Sequence, residues 1–238
     1  MKNIAVIGSS GAIGSAFVRA LVERDDVSKI YAFARSACGL QSVKITAGYI
    51  DITKEDTVAS CAQTVSRSHN LDLILVTTGL LHEKDAMPEK AINEISHEKL
   101  SKMFLVNAIG PGVVMKHFLP RLRRDKPAIL AVLSARIGSI SDNVLGGWYS
   151  YRASKAALNM LVKCASIEMR RKYKLSIIVG LHPGTVESRL SKPFQQNIPE
   201  HKIFQPHDAA ARMMATIDAL GVEDSGRCFA YDGTEIDP

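Results

Sequence analysis

Tyr151 and Lys155 stand four residues apart in the run Tyr151-Arg152-Ala153-Ser154-Lys155. On an α-helix, residues at this spacing lie on one face, one turn apart, so a phenol and an ammonium group would be neighbours. A nearby cation lowers the pKa of a tyrosine from its usual value near 10 toward neutrality. Such a phenol can donate a proton to a carbonyl group or take one from an alcohol. Because the Tyr-x-x-x-Lys string is common, the rest of the chain must show whether this chemistry is used.

Three glycines form a second candidate site in the segment Gly8-Ser9-Ser10-Gly11-Ala12-Ile13-Gly14. The segment follows an apolar run at residues 3–7 and precedes an amphipathic stretch, a pattern that predicts strand, tight turn and helix. Glycines allow the backbone to approach a ligand closely, and a helix N-terminus offers free N–H groups to a pyrophosphate. A glycine turn that only packs the helix on the strand is the alternative. We predict that a dinucleotide contacts Gly8, Ser10, Gly11, Ile13 and Gly14.

The residue after the second predicted strand indicates which dinucleotide would bind. In open parallel sheets an acid here binds the ribose 2′-OH of NAD, whereas an arginine accommodates the 2′-phosphate of NADP. The chain has Arg35 at this point and no acid between Lys29 and Gly39, so NADP(H) is favoured over NAD(H). A surface arginine without this role is the alternative. After the third strand, Asp51 and Ile52 are predicted to contact the adenosine, although Asp51 could instead cap the next helix.

These candidate groups are positioned by an alternation of apolar strands and amphipathic helices along the whole chain. Strands are predicted at residues 3–7, 29–34, 43–50, 71–76, 128–133, 175–181 and 227–231. Helices are predicted after Gly8, at 54–67, from about 96, at 149–172 and from 206 to about 220. Apolar strands joined by helices indicate an α/β Rossmann fold, a doubly wound, seven-stranded parallel sheet with helices on both faces. We expect a single domain over residues 1–238, with a substrate loop at about 185–206.

Composition and charge exclude several classes of protein. Apolar residues make up 46% and charged residues 23% of the 238 residues, which is typical of globular proteins and excludes a mainly disordered chain. No apolar run approaches the roughly 18 residues of a membrane span, and no leader precedes the first strand, so we expect a cytoplasmic protein without membrane contact. The cysteines and histidines show no metal-ligand spacing, so no metal is expected. The basic cluster at 121–126 falls at a predicted helix end, which argues against nucleic acid binding.

One polar residue lies on the apolar face of the predicted helix that starts near residue 96. That face carries Leu100, Phe104, Asn107, Pro111, Val114, Phe118 and Leu122. Pro111 has no N–H, so the carbonyl group of Asn107 loses its helical hydrogen bond and is free to bind a water molecule. A kink kept only for packing is the alternative.

Taken together, these residues resemble the short-chain dehydrogenase/reductase family over essentially the whole chain. The run from Gly146 to Asn159 is similar to the C-factor and carbonyl-reductase-like branch of that family. The resemblance implies an NADP(H)-dependent oxidoreductase that moves a hydride between a nicotinamide and a carbonyl or alcohol substrate. It implies Tyr151 as general acid/base, Lys155 as the group that tunes the phenol and holds the ribose, and Asn107 as part of a proton relay through water.

The same resemblance extends the expected cofactor site and predicts the assembly. Thr78 and Gly79 follow the fourth strand, and the segment Pro183-Gly184-Thr185-Val186 follows the sixth. We expect the cofactor to contact Thr78, Gly79, Tyr151, Lys155, Pro183, Gly184 and Val186. We also expect a homo-oligomer, a dimer or a tetramer.

The sequence departs from the family pattern at three places. The glycines follow G-x-x-G-x-x-G, the spacing of the longer epimerase-like branch, instead of G-x-x-x-G-x-G. The usual Asn-Asn-Ala-Gly after the fourth strand is Val76-Thr77-Thr78-Gly79. The usual catalytic serine aligns with Ala135 in Ser134-Ala135-Arg136-Ile137-Gly138. We therefore assign the catalytic hydroxyl to Ser134, with Ser139 in reserve.

Three functions are compatible with these residues. The first is reduction of aldehydes or ketones, or in reverse oxidation of alcohols, with a small-molecule substrate. The second is a non-enzymatic, NADP-binding regulatory or signalling protein, which the missing serine makes conceivable. An epimerase or dehydratase ranks last, because only the glycine spacing suggests it. Trp148 and Tyr149 could form an apolar wall for the substrate or simply pack the loop on the core.

Overall fold

A computed structural model of the chain describes residues 1–37, 39–65, 70–83, 87–196 and 198–238. Its strands are β1 (Lys2–Ile7), β2 (Val27–Ala34), β3 (Ile45–Tyr49), β4 (Leu73–Val76), β5 (Ala128–Leu133), β6 (Ser176–His182), β7 (Thr185–Val186), β8 (Ile203–Phe204), β9 (Cys228–Ala230) and β10 (Glu235–Ile236). Its helices are α1 (Ala12–Val22), α2 (Glu55–Thr64), α3 (His97–Phe104), α4 (Gly110–Phe118), α5 (Tyr149–Lys172) and α6 (Pro206–Ala219). None of the helices in these ranges is both long enough and apolar enough to cross a membrane.

Eight of the ten strands form the main sheet, in the order β3-β2-β1-β4-β5-β6-β9-β10, and β7 and β8 form a separate pair. Every neighbouring pair is parallel except β9 and β10, which are antiparallel. The predicted doubly wound α/β sheet is therefore confirmed, with the seven expected parallel strands. The eighth strand, β10, was missed because two residues after a turn at Gly233 are too short to carry a periodic pattern.

Helices cover both faces of the sheet and enclose two apolar cores. One core lies under α2, α4 and α5 and contains Phe33 and Phe118, whose rings meet edge to face at 6.0 Å. The other lies under α1 and α6 and contains Phe17, Leu21 and Met213. Because the crossovers alternate between faces, the carboxyl ends of the central strands meet at one edge of the sheet, where a ligand crevice is expected.

The predicted long helix is continuous from α3 to α4, but its middle is a π-helical turn at Leu105–Ile109. The N–H of Gly110 donates to the carbonyl oxygen of Leu105, five residues earlier, and Pro111 has no N–H to donate. The sequence predicted a disturbance at Asn107, and the disturbance is a widened turn with Asn107 within it. The side chain of Asn107 is completely buried there.

The segment predicted as the substrate loop carries regular structure at its ends. β7 and β8 pair in parallel, with Thr185 opposite Ile203 and Val186 opposite Phe204. This small sheet holds the two ends of the segment together. The described residues between them form a loop at the carboxyl edge of the main sheet. Two-residue strands of this kind leave no periodic signal in a sequence.

Candidate active site

A cavity of about 1190 Å³ opens at the carboxyl ends of β1, β4, β5 and β6. Its lining brings together residues that the sequence placed far apart: Ser10, Gly11, Ile13, Thr78, Gly79, Ser134, Tyr151, Lys155, Pro183, Gly184 and Val186. The segment after β7 and the loop before α5 form its outer walls. The glycine turn and the Tyr151–Lys155 pair therefore share one cavity.

The glycine turn is built around a left-handed glycine and a close backbone approach. Gly8 has φ +93°, a conformation that side-chain-bearing residues rarely adopt, and its N–H donates to Phe33 at 2.8 Å. A Cβ on Gly14 would lie 2.1 Å from the carbonyl oxygen of Gly8, so only glycine allows α1 to start this close to the turn. Gly11 precedes α1 without a side-chain cap, and the first turn of α1 holds no acid. Its free N–H groups form a site for an anion.

The segment after β4 places an unsatisfied hydroxyl beside this turn. Thr77 donates its hydroxyl to Ile7 at 2.9 Å, whereas the buried hydroxyl of Thr78 has no partner in the described part of the chain. Thr78 also lines the cavity. A buried hydroxyl without a partner is costly, so it is suited to a hydrogen bond with a bound group. The residues present thus fit a dinucleotide lying over Gly8 and Thr78.

Arg35, Asp51 and Ile52 lie outside the lining of this cavity. Arg35 is exposed and close enough for its charge to act on Asp51. Oδ1 of Asp51 accepts hydrogen bonds from the N–H of Thr53 at 3.0 Å and from its hydroxyl at 2.7 Å. Burial alone would raise the pKa of Asp51, but these bonds and the cations Arg35 and Lys54 bring it below its usual value. Asp51 thus caps the turn before α2, and it is not the N-cap residue, which is Lys54.

The phenol of Tyr151 and the ammonium group of Lys155 are both buried on the first turns of α5. Nζ of Lys155 lies 5.9 Å from the centre of the Tyr151 ring and donates to the carbonyl oxygen of Leu133 at 2.9 Å. Burial raises the pKa of Tyr151 to about 12 and lowers the pKa of Lys155 to about 8. The sequence predicted a phenol pKa closer to neutrality. In this structure burial determines the direction in which the pKa of Tyr151 shifts, because the ammonium group is not in hydrogen-bond contact with the phenol.

Asn107 joins the helix to the segment after β4 and to α5. Its Oδ1 accepts the N–H of Leu80 at 2.8 Å, and its Nδ2 donates to the carbonyl oxygen of Leu80 at 2.8 Å. Nδ2 also lies 3.1 Å from the hydroxyl of Ser154, which in turn donates to the carbonyl oxygen of Tyr151. The buried amide thus links, by hydrogen bonds, three segments that surround the Tyr151–Lys155 pair.

The two candidate serines have different surroundings. Ser134 lines the cavity, but its hydroxyl donates to Oδ1 of Asn159 at 2.6 Å. The hydroxyl of Ser139 accepts the N–H of Asp142 at 3.0 Å, and Ser139 is outside the cavity lining. Ala135 packs in one apolar cluster with Tyr151. Of the two candidate serines, only Ser134 lines the cavity, and its hydroxyl is turned toward Asn159 of α5.

Several residues of the cavity were missed by sequence reasoning. His182 ends β6 and lines the cavity, and its buried Nδ1 has no partner among the described residues. Burial, followed by the charge of Arg136, lowers the pKa of His182 to about 4, so the ring is neutral at pH 7. Its position at a strand end is the signal that could have found it. Phe194 packs on Trp148 with ring centres 4.8 Å apart, a contact that no sequence pattern predicts.

The cavity shows no grouping of histidine, cysteine or acidic side chains that would hold a metal ion, as judged over the residues that the structure describes. Its polar side chains are mostly hydroxyls and ammonium or guanidinium groups, with one amide, the phenol of Tyr151, the imidazole of His182 and the single carboxyl group of Asp142. These groups donate hydrogen bonds and move protons, and they favour anionic or carbonyl-bearing ligands.

Comparisons with known proteins agree with this geometry. The family model described as short chain dehydrogenase matches residues 2–199. The chain is 36% identical to C-signal of Myxococcus xanthus over 146 residues, 61% of this chain and 82% of that protein. It is 29% identical to 1-hydroxy-2-glutathionyl-2-methyl-3-butene dehydrogenase of Rhodococcus sp. (strain AD45), over 98% of both chains.

Two solved structures show how closely the fold is shared. The NADPH-bound carbonyl reductase from chicken fatty liver superposes with a TM-score of 0.86 at 22% identity, covering 100% of this chain and 99% of that one. The carbonyl reductase Sniffer of D. melanogaster gives a TM-score of 0.86 at 22% identity, covering 100% of both chains. The family resemblance predicted from the sequence is confirmed: the chain belongs to the short chain dehydrogenase family of oxidoreductases.

Proposed function

We propose that the chain is an NADP(H)-dependent oxidoreductase that reduces a small-molecule aldehyde or ketone, or oxidises the corresponding alcohol, with Tyr151 as general acid/base. The observation that carries the proposal is the shared cavity. The buried phenol of Tyr151 and the buried ammonium group of Lys155 open into the same space as the glycine turn and the uncapped N-terminus of α1. This juxtaposition supports one reaction in which a proton donor acts beside a bound cofactor.

The cofactor part of the proposal rests on three groups of residues. The free N–H groups at the start of α1 suit a pyrophosphate, and the unpartnered hydroxyl of Thr78 suits a polar group of the dinucleotide. The exposed Arg35 after β2 suits a 2′-phosphate, so NADP(H) is favoured over NAD(H). The chicken carbonyl reductase is NADPH-bound, and a short-chain dehydrogenase/reductase of Burkholderia multivorans has bound NADP, which supports the same choice here.

The chain's own residues would handle the proton and hold the reactants. When bound, the nicotinamide supplies or accepts the hydride. With a pKa raised to about 12 by burial, Tyr151 carries its proton at neutral pH and can give it to a carbonyl oxygen as the alcohol forms. Lys155 lies one turn further along α5, where its ammonium group can hold a ribose and favour the tyrosinate when the proton leaves. Asn107 keeps the segment after β4 against α5.

A hydroxyl is needed to polarise the substrate carbonyl, and we assign this role to Ser134. Ser134 lines the cavity, whereas Ser139 is committed to the turn with Asp142. For the role, rotation about the Cα–Cβ bond must turn the hydroxyl of Ser134 from Asn159 toward the substrate. Ala135 leaves apolar surface where the family usually has its serine.

The walls of the cavity indicate an apolar or aromatic body for the substrate. Trp148, Leu190 and Phe194 pack around Tyr151 and Leu81 on the outer side of the cavity. Burial of an aromatic group against such a wall is favourable because it removes apolar surface from water.

A non-enzymatic, NADP-binding signalling role is the second candidate. Ala135 in place of the usual serine and the 36% identity with C-signal favour it. A protein with a cofactor site but no hydroxyl that polarises the substrate carbonyl would bind a dinucleotide and reduce carbonyl compounds only slowly.

A homo-oligomer is also part of the proposal. Large apolar side chains are exposed on the π turn and on α5, two elements that contact each other, namely Leu105, Ile109, Met160, Leu161 and Ile167. Apolar groups exposed on neighbouring elements support an interface between protein chains. The cytoplasmic location and the single domain over residues 1–238 stay predictions from the sequence.

The experiment is a panel of aldehydes and ketones with NADPH and, separately, NADH, followed by absorbance at the nicotinamide band. We expect turnover of at least one apolar or aromatic carbonyl compound, with NADPH preferred. Tyr151→Phe should remove turnover while the affinity for NADPH stays within about twofold, because only the proton donor is lost. Substantial activity in Tyr151→Phe would refute the assigned acid. NADPH binding without turnover of any compound by the wild type would favour the signalling candidate.

A further inference from the structure

The described chain holds a buried carboxylate that the reaction proposed above does not use. Glu89 follows the segment after β4, and only 2% of its surface is exposed. It forms no ion pair with the described residues. Removing an ionised carboxylate from water is costly unless strong hydrogen bonds replace the lost hydration. The hydrogen-bond partners of Glu89 therefore indicate its role.

The partners of Glu89 are the first residues of α5, about sixty positions further along the chain. Oε2 of Glu89 accepts the N–H of Ser150 at 3.2 Å, and Oε1 accepts the hydroxyl of Ser150. The main-chain carbonyl oxygen of Glu89 accepts the N–H of Trp148 at 2.5 Å. These are free donors at a helix N-terminus, which a side chain of the helix's own cap residue normally satisfies.

The start of α5 has no such cap of its own. Its N-cap residue is Trp148, which makes no side-chain cap hydrogen bond and has φ +50°, the only positive φ of a non-glycine residue in the described chain. No acid stands in the first turn of α5. Gly147, also at positive φ, would place a Cβ only 3.5 Å from the carbonyl oxygen of Glu89, so the two segments are in close contact. A 24-residue helix therefore relies on Glu89 for its N-terminal cap and for a charge that complements its dipole.

We infer that Glu89 is a positioning residue for Tyr151, which directly follows Ser150 in the first turn of α5. By capping that turn, Glu89 fixes the direction from which the phenol enters the cavity. The carboxyl group of Glu89 is ionised at neutral pH, because the hydrogen bonds from Ser150 more than offset the effect of burial and lower its pKa. Met87 and Pro88, which directly precede Glu89, line the cavity together with Tyr151. The inference rests on the proposed function, in which Tyr151 is the acid.

The test compares four single variants of the full chain and uses a built-in probe. Trp148 is the only tryptophan of the chain and is itself the cap residue, so its fluorescence reports the cap directly. Glu89→Ala removes both side-chain contacts, and Ser150→Ala removes only one of them. Glu89→Gln keeps an oxygen that can accept the N–H of Ser150. Glu94→Gln is the matched control, since Glu94 is exposed and accepts only the N–H of Lys90.

In Glu89→Ala we expect kcat to fall at least tenfold, at a temperature well below unfolding, with the Kd for NADPH within about twofold. A small displacement of a reacting group costs on this scale. The emission of Trp148 should shift at the same temperature. Glu89→Gln should recover most of kcat and the wild-type emission, Ser150→Ala should lie between the two, and Glu94→Gln should match the wild type.

Wild-type kcat in Glu89→Ala would overturn the inference, even if its unfolding temperature falls, because the role would then be structural only. If Glu89→Ala does not fold, Ser150→Ala decides: a shifted emission with lowered kcat supports the inference, and wild-type values of both overturn it. Failure of the proposed function would look different, as a wild type without turnover. The ionisation of the Tyr151 phenol then replaces kcat, measured as the difference in ultraviolet titration between each protein and the same protein carrying Tyr151→Phe, because the chain has six tyrosines. An unchanged ionisation in Glu89→Ala would overturn the inference.

Discussion

At the scale of single residues, burial shapes the chemistry of the site more than direct contact does. Tyr151 and Lys155 have similar ordinary pKa values, and burial moves the phenol to about 12 and the amine to about 8. At neutral pH the phenol therefore keeps its proton and the amine is mostly cationic, as reduction of a carbonyl requires. The spacing predicted the pair, because helix geometry is local. The extent to which the pair is buried depends on the segments packed around α5, and the local sequence does not predict those contacts.

The assignment of the carbonyl-polarising hydroxyl to Ser134 can be tested by substitution. If Ser134 polarises the substrate carbonyl, Ser134→Ala should slow reduction by about two orders of magnitude, the cost of losing one oxyanion donor. Ser139→Ala should be nearly silent, because its hydroxyl serves the turn with Asp142. Adding Ala135→Ser to Ser134→Ala should restore part of the rate, since residue 135 packs beside Tyr151. Steady-state kinetics with the best substrate of the panel measures all three.

A different pattern would reassign the hydroxyl. A large loss in Ser139→Ala with a small one in Ser134→Ala would mean that the loop after β5 rearranges when substrate binds. Full activity in both single variants would leave polarisation to Tyr151 or to another donor of the cavity, and adding Ala135→Ser to Ser134→Ala would then have no lost rate to restore.

Among the secondary-structure elements, the sequence predicts the helices and strands that have a periodic apolar pattern. It misses the caps and short strands that depend on tertiary contacts. The unit of β1, turn and α1 was predicted because an apolar run, glycines and an amphipathic stretch follow one another within residues 2–22. The cap of α5 by Glu89 was not predictable, because its two partners lie 61 residues apart in the chain. The small β7 and β8 pair is likewise formed by segments that approach only in the folded chain.

The close approach of Gly14 to the backbone of Gly8 can be tested by substitution. Gly14→Ala places a Cβ 2.1 Å from the backbone oxygen of Gly8, so α1 must move away from the turn. We expect a loss of about 1–3 kcal/mol in the free energy of unfolding, or more, and weaker NADPH binding. Gly11→Ala is the matched control: its Cβ would lie 3.3 Å from the same oxygen, and its φ of −74° suits any residue. Denaturant unfolding compares the two variants, and fluorescence titration measures NADPH binding by Gly14→Ala. Equal losses of stability in the two variants would contradict the steric argument.

At the scale of the whole molecule, the parallel sheet gathers distant segments into one site. The sequence could predict which residues meet, because every parallel strand ends at the same edge. It could not predict which charged side chains from different segments lie close together in the site. His182 illustrates this: its ring, at the end of β6, is affected by the charges of Arg136, Asp232 and Lys155, which come from three other segments.

This environment links the protonation of His182 to the stability of the whole fold. Burial first, and then the charge of Arg136, lowers its pKa to about 4 from the ordinary value near 6.5. Between these two values the unfolded chain binds a proton that the folded chain excludes, so the free energy of unfolding should rise with pH across this window and fall as pH drops through it. The slope due to this group is at most about 1.4 kcal/mol per pH unit. Carboxyl groups titrate in part of the same window, so the wild type must be compared with a variant.

In His182→Gln we therefore expect a flatter dependence of the unfolding temperature on pH between about 4 and 6.5, because glutamine has no proton to exclude. His207→Gln is the matched control, since its side chain is 77% exposed. It should keep the wild-type slope. Scanning calorimetry at half-unit steps of pH measures the three curves. Parallel curves for wild type and His182→Gln would show that the imidazole is protonated inside the fold. His182 would then be a cation beside Lys155, which would weaken the case for a neutral, unpartnered ring at the floor of the cavity.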